Sequence, residues 1–468
     1  MIELLAKVIP SSIISLITRR SGLQKIIANA GWLFADNVAA LLAGFLVGAW
    51  VARYLGPTQY GTYNYALAVV ALFTPLVALG LKDIVIRDIV RAPADKDEIL
   101  GTTFGLQLIG GLLALGLAIG IALITRSENP LTRWLIVILS GQFIFQVFSV
   151  TLGYWFNSQV QAKYIVWANN IALFLYSLVR IGLVLSKAPL IAFAWTALGQ
   201  ALVYAVAVAV FYRLSRQMLF TWQVSFARAK RLLVNSWPLL ISSLAIMVYL
   251  KIGQVMLGNM VNVKTLGIYS AAIRLSELWY FIPMAIASSV FPALVRSHEN
   301  DGDEVHRKRM QLFYDVMAGI AYMIVIPLTL LAPLLVKMVF GPPYAEAGAI
   351  LRIHAWALLF VFLGVARSRW LIAEDMVRFN MLVTILGALT NIAMNFMLIP
   401  RFGGLGAAWA VVISQAVSTW LSSILSKGLW PVFCQQSLSL LVPFRIFSLK
   451  RSLSEILERP PSSLDGRI

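Results

Sequence analysis

Long apolar runs recur through this chain with only short polar gaps between them, and the Lys and Arg residues gather in every second gap. A run of about 20 apolar residues crosses the ~30 Å hydrocarbon core of a bilayer as one helix. Inside lipid, backbone N–H and C=O groups must be satisfied within the protein, which leaves helices or a closed barrel. The runs are continuous and not alternating, so helices are expected. Twelve spans follow, at residues 31–52, 63–81, 101–124, 134–153, 164–185, 189–212, 233–257, 267–295, 311–336, 347–373, 380–399 and 405–426.

Of the 38 Lys and Arg residues, this arrangement puts about 27 on one side, with Arg367 and Arg369 near the end of the tenth span counted there, about seven on the other and four deeper inside spans. Basic residues stay on the cytoplasmic side, so an even number of spans with both termini cytoplasmic is expected. Residues 1–30 read as a retained cytoplasmic segment. Its Ala28-Asn29-Ala30 mimics a cleavage site, but Arg19, Arg20 and Lys25 interrupt the apolar region that would have to precede it. Residues 213–232 read as a cytoplasmic linker and 427–468 as a cytoplasmic or interfacial tail. The apolar stretch Pro431–Phe447 is broken by Cys434-Gln435-Gln436 and by Pro443, which argues against a thirteenth span.

Composition removes whole classes of function. With 60% hydrophobic and 12% charged residues there is too little polar surface for a water-soluble globule, and the net charge of +18 sits in short loops, where topology and anionic lipid account for it without nucleic acid. One cysteine and three scattered histidines hold no disulfide and no metal cluster. Nucleotide-binding loops and catalytic triads are absent from the sequence, so no cofactor and no enzyme activity are expected.

The two halves of the chain rhyme. Leu55-Gly56 and Gly61-Thr62-Tyr63 correspond to Leu257-Gly258 and Gly267-Ile268-Tyr269, and Ala194-Trp195 with Gln200 corresponds to Ala408-Trp409 with Gln415. Because six spans separate the halves, both enter from the same side. The expected fold is therefore all-α, with two six-helix lobes (31–212 and 233–426) related by a pseudo-two-fold axis along the membrane normal and enclosing a cavity that opens alternately to either side.

Charge within the spans points to what the cavity holds. Arg180, Lys251, Arg274 and Arg352 each cost about 2.5–3.5 kcal/mol at a helix centre unless they meet water, a partner or an anion. Acidic residues are fewer, chiefly Asp36 and Glu277. Arg274 and Glu277 lie three apart on one helical face with Ser270, and read either as a structural ion pair or as part of a site. Lys251 with Gln254 makes a second polar face, and Asn391 with Asn395 a third, which serves equally to join helices. Guanidinium and ammonium groups in such a setting suit a lipid-linked phosphate or diphosphate. Tyr249, Trp279 and the amides are sugar contacts on this reading, and Asp36 and Glu277 are the candidates for coupling to H⁺ or Na⁺.

Several strings, taken in order, resemble the polysaccharide biosynthesis (O-antigen or lipid-linked oligosaccharide flippase-like) family. They are Phe34-Ala35-Asp36-Asn37, Arg53-Tyr54-Leu55-Gly56-Pro57 with Gln59-Tyr60-Gly61, Ser236-Trp237-Pro238-Leu239, Gln254-Val255-Met256-Leu257-Gly258 and Tyr269-Ser270-Ala271-Ala272 with Arg274-Leu275-Ser276-Glu277. Phe340-Gly341 with Tyr344, Ile353-His354-Ala355-Trp356, and Leu398-Ile399-Pro400 with Gly403 to Ala408 extend the resemblance over residues 30–425. It implies the MATE-like fold of the multidrug/oligosaccharidyl-lipid/polysaccharide exporter superfamily and a place in the bacterial inner membrane. It also implies alternating-access transport of a polyprenyl-diphosphate-linked oligosaccharide, in contact with membrane lipids and with polysaccharide polymerase or export proteins. At Gly253 the chain departs from the family's frequent acidic residue, which shifts any coupling role towards Asp36 and Glu277. A cation-coupled multidrug antiporter of the same fold and a membrane polysaccharide polymerase or ligase are the competing readings.

Overall fold

A computed structural model describes residues 21–125, 130–218, 221–300, 303–374 and 376–445. It divides into two units, Met1–Gly48 and Ala49–Ile468. The first contributes helix alone among its described residues, and every contact below lies within the second. The described elements are helical throughout: α1 (Ser21–Ala78), α2 (Lys82–Arg91), α3 (Lys96–Thr125), α4 (Pro130–Ser140), α5 (Gln142–Ser158), α6 (Ala162–Leu185) and α7 (Leu190–Leu214). The second half supplies α8 (Phe226–Met260), α9 (Val263–Glu277), α10 (Phe281–Asn300), α11 (Asp303–Phe340), α12 (Ala347–His354), α13 (Ala357–Ala373), α14 (Val377–Thr419) and α15 (Trp430–Leu440).

Nine helical stretches among the described residues are long and apolar enough to cross a membrane. Two of these, Leu41–Arg91 and Arg378–Leu425, each run through two of the predicted spans in whole or in part. In α1 the break falls at Gly56, whose φ of 68° is left-handed and whose successor Pro57 opens the next helix at once. In α14 it falls at Gly403, with φ 54°. The eighth predicted span is divided into α9 and α10 by a 3₁₀ turn at Leu278–Tyr280. Side chains follow the rule for lipid: Phe174, Leu330, Leu389 and Phe396 lie on the outside, while the buried Gln107 amide accepts from Thr151 Oγ1 and donates to the Tyr154 hydroxyl.

The repeat read from sequence is visible in the structure. The fourth span of each half is broken, at Gly141 between α4 and α5 and at Ala355–Trp356 between α12 and α13. Ala194 and Ala408 are fully buried, and the Trp beside each is about half exposed. Most directly, the corresponding glycines touch. A Cβ placed on Gly61 would lie 1.7 Å from the Val263 carbonyl oxygen and 2.8 Å from Gly267 N, and one on Gly267 would lie 1.9 Å from the Pro57 carbonyl oxygen and 2.9 Å from Gly61 N. A shift of 206 residues takes Pro57 to Val263 and Gly61 to Gly267, so each helix makes the other's contact in reverse. A reciprocal contact of this kind is the signature of a two-fold axis running between the paired elements. Only glycine permits it, because the two backbones meet with no room for a side chain.

Loops that the span list assigns to one side pack with one another. At one end Arg53 Nε donates to the Val339 carbonyl at 2.7 Å, the Tyr344 hydroxyl donates to the Ala52 carbonyl at 2.6 Å, and the Tyr54 hydroxyl donates to the Ala188 carbonyl at 2.8 Å. At the other, the linker is strapped to α3. Arg228 bridges Asp95 Oδ2 at 2.8 Å and Glu98 Oε1 at 2.9 Å, Gln223 N donates to the Asp97 carbonyl, and Ser225 caps α8.

Two features depart from the sequence reading. Arg367, counted with the cytoplasmic loop residues, is buried in α13. Its guanidinium donates to the Ser418 carbonyl at 2.6 Å and to the Ser422 and Ser423 hydroxyls at 2.7 and 3.2 Å, meeting the negative end of α14. That helix ends at Thr419, earlier than the predicted 426, and continues as 3₁₀ turns. The tail contributes α15, which has 11 residues, about 16 Å at 1.5 Å each, and is too short to span. Its polar residues turn inward: Ser439 Oγ donates to Asp315 Oδ1 at 2.6 Å, and Gln311 donates to the same oxygen at 2.8 Å, while Trp430 and Leu438 are exposed.

Candidate functional site

A cavity of about 400 Å³ opens between α1, α5, α8 and α9. From the first half of the chain it receives Tyr60, Asn64, Ala68, Ala71 and Thr74 of α1, with Gln142 and Gln146 of α5. Gln142 and Gln146 share a helix face because the break at Gly141 starts α5 there, four residues before Gln146. From the second half it receives Lys251 and Gln254 of α8 and Ser270, Arg274 and Glu277 of α9. Ser270, Arg274 and Glu277 recur at helical spacing, so one face of α9 carries them all.

Four of the residues singled out from sequence therefore meet: Lys251, Gln254, Arg274 and Glu277. Among the described residues no ion pair involves Lys251 or Glu277. Ser270 Oγ is buried in the cavity wall with no hydrogen-bond partner. Formal charge on the lining is one positive in excess, carried by two cations and one carboxylate.

Arg180 stands behind this wall. It is buried, donates to the Tyr63 hydroxyl at 2.7 Å and stacks over the Tyr176 ring at 4.1 Å. Arg352 is exposed on α12 and takes no part in the cavity. Asn391 and Asn395 are fully buried elsewhere: Asn395 donates to the Asn391 carbonyl and Oδ1 at 2.8 Å, and Asn391 donates to Ser414 Oγ at 3.0 Å. They tie together the two arms of α14. Gly253 belongs with them, because a Cβ there would lie 3.2 Å from Asn395 Oδ1. Tyr249 and Trp279 are absent from the cavity lining. The Asp36 side chain lies outside the described residues.

Sequence reasoning passed over Asn64, Gln142 and Gln146. Two carry a detectable signal, since Gln142 and Gln146 are long amides four apart within an apolar run. Asn64 is marked by the repeat, which makes it the counterpart of Ser270.

Comparison with known proteins agrees with this architecture. A family model described as polysaccharide biosynthesis protein matches residues 26–298, more than half of the chain. The chain belongs to the polysaccharide biosynthesis protein family. A second model, lipid II flippase MurJ, matches residues 168–442. Among curated members, the capsular polysaccharide biosynthesis protein CapF of Staphylococcus aureus is 23% identical over 400 residues, covering 84% of this chain and 97% of that protein. Among solved structures, the lipid II flippase MurJ in its inward closed conformation superposes with a TM-score of 0.69 at 13% identity, covering 91% of this chain and 95% of that one. An inward-facing multidrug resistance MATE transporter superposes with a TM-score of 0.66 at 15% identity, over 88% and 96%. The fold is thus that of the MATE and MurJ transporters. This polysaccharide biosynthesis family member is a multi-pass membrane transporter and not an enzyme.

Proposed function

We propose that the protein flips a polyprenyl-diphosphate-linked oligosaccharide across the bacterial inner membrane by alternating access, with both termini in the cytoplasm. The observation that carries this reading is the meeting of Lys251 and Arg274 in a cavity whose formal charge is positive. A guanidinium and an ammonium beside an unpartnered serine hydroxyl suit phosphate oxygens, which accept several charge-assisted hydrogen bonds at once. A volume of about 400 Å³ lies towards the lower end of the ~300–1,000 Å³ of small-molecule sites. What it grips is the diphosphate and the sugar nearest to it, with the polyprenyl chain left in lipid. Glu277 or Asp36 supplies the carboxylate for coupling to H⁺ or Na⁺, and polymerase or export proteins take up the delivered substrate.

A multidrug antiporter of the same fold is the second reading, and the cavity charge separates the two. A positive lining draws anions and repels the lipophilic cations that such antiporters export. The test is transport in proteoliposomes loaded with a fluorescent polyprenyl-diphosphate oligosaccharide, with leaflet exposure read by a membrane-impermeant quencher. Losing a hydrogen bond to a charged group costs about 1.5–3 kcal/mol, so Arg274→Ala should slow translocation by about tenfold or more at normal expression. Export of cationic dyes that survives replacement of both Lys251 and Arg274 by Ala, with no lipid movement by the native protein, would replace this reading with drug efflux.

A further inference from the structure

The two-fold contact between Gly61 and Gly267 fixes the register of α1 against α9, and that register extends into the cavity. The same shift of 206 residues pairs Asn64 with Ser270, Leu67 with Ile273, Ala68 with Arg274 and Ala71 with Glu277. All eight line the cavity, as two equivalent stripes at i, i+3, i+4 and i+7. A symmetric scaffold therefore presents matching positions to one space, but the chemistry on them is not symmetric. On α9 the stripe holds both an arginine and a carboxylate, and Lys251 of α8 adds a second cation to the same half. On α1 the matching positions are alanines, and what flanks them is neutral: Asn64 beside them on the stripe, Gln142 and Gln146 on α5.

We infer that the cavity holds its ligand in one orientation, with the diphosphate against α8 and α9 and the adjoining sugar over Ala68 and Ala71, read by Asn64, Gln142 and Gln146. The inference rests on the flippase reading and adds to it the residues that determine sugar specificity. The physical reason is the difference between the two groups to be bound. A diphosphate needs fixed cationic donors. A sugar presents neutral hydroxyls that donate and accept, and carboxamide side chains are the neutral groups that do both. The alanines serve by being small: arginine and glutamate at these positions would fill the volume that their counterparts fill on the other wall.

Three kinds of variant and two probes test this with the full-length protein in detergent. The probes are a polyprenyl diphosphate and the same lipid carrying one N-acetylhexosamine, with binding measured by thermophoresis. The native protein should bind the sugar-bearing lipid more tightly. Gln142→Ala with Gln146→Ala should weaken that ligand about tenfold, as expected for two or more neutral hydrogen bonds, and change the sugar-free lipid by less than twofold. Ala71→Leu should exclude the sugar-bearing lipid and spare the other, and that retained binding certifies the fold. Arg274→Ala should weaken both. Equal binding of the two probes by the native protein, or glutamine variants that weaken both alike or neither, would overturn the orientation while leaving the diphosphate site in place. Failure of the native protein to bind either probe would instead remove the flippase reading.

Discussion

Replacing Gly61 by alanine puts a methyl carbon 1.7 Å from the Val263 carbonyl oxygen, and ordinary contact begins at 3.4 Å, so α1 and α9 must part by about 1.7 Å there. The same change at Gly267 starts from 1.9 Å and asks for about 1.5 Å. Both obstacles are backbone atoms, so no rotamer change relieves them. Overpacking of a close contact costs about 1–3 kcal/mol, and the upper figure applies where nothing can yield. Alanine recovers about 1 kcal/mol over glycine in a helix, leaving each single variant destabilised by ~2 kcal/mol. Because the contact is reciprocal, the separation that admits one methyl admits the other. The double variant should therefore be no less stable than either single one, where independent sites would add to ~4 kcal/mol. Chemical denaturation of the detergent-solubilised protein, followed by tryptophan fluorescence, measures all four corners of the cycle. Strict additivity, or single variants as stable as the native protein, would refute the two-fold contact at Gly61 and Gly267.

Two further outcomes follow from the packing. Arg367→Leu removes a buried guanidinium from the Ser418 carbonyl and two serine hydroxyls, and should destabilise by about 3 kcal/mol; Arg367→Lys should recover only part of this, since an ammonium lacks the planar fork, and thermal unfolding ranks the three proteins. Arg228→Ala releases the linker from Asp95 and Glu98 and should speed proteolytic nicking within residues 213–232 with little change in global stability, and high salt should narrow the difference from the native protein, since part of the network is exposed.

Much of this molecule is legible in one dimension because lipid simplifies the problem. An apolar run of sufficient length must be a helix, and Gly56-Pro57 and Gly403 mark where a helix turns back, since a left-handed glycine ends one helix and a proline is tolerated at the start of the next. The internal repeat was equally readable, as strings that recur between the halves of the chain. The tertiary structure decided which intramembrane polar groups share a space. Helical periodicity gives each residue a face but not the neighbour that the face meets. Arg180, Arg274 and Arg352 look alike as basic residues in apolar runs, yet one is stacked on a tyrosine, one lines the cavity and one is exposed. Asn391 and Asn395 could bind sugar or bind helices, and only the position of Ser414 on the returning arm of α14 directs them to the second. The sequence by itself determined the long helices, the reversals near Gly56 and Gly403 and the repeat of the two halves, because these depend on local backbone chemistry and apolar patterning, whereas the breaks within spans at Gly141, Leu278–Tyr280 and Ala355–Trp356 came only from the structure. The partnership of charged α9 with neutral α1 across one cavity arose from how whole helices rotate against each other, which no local pattern encodes.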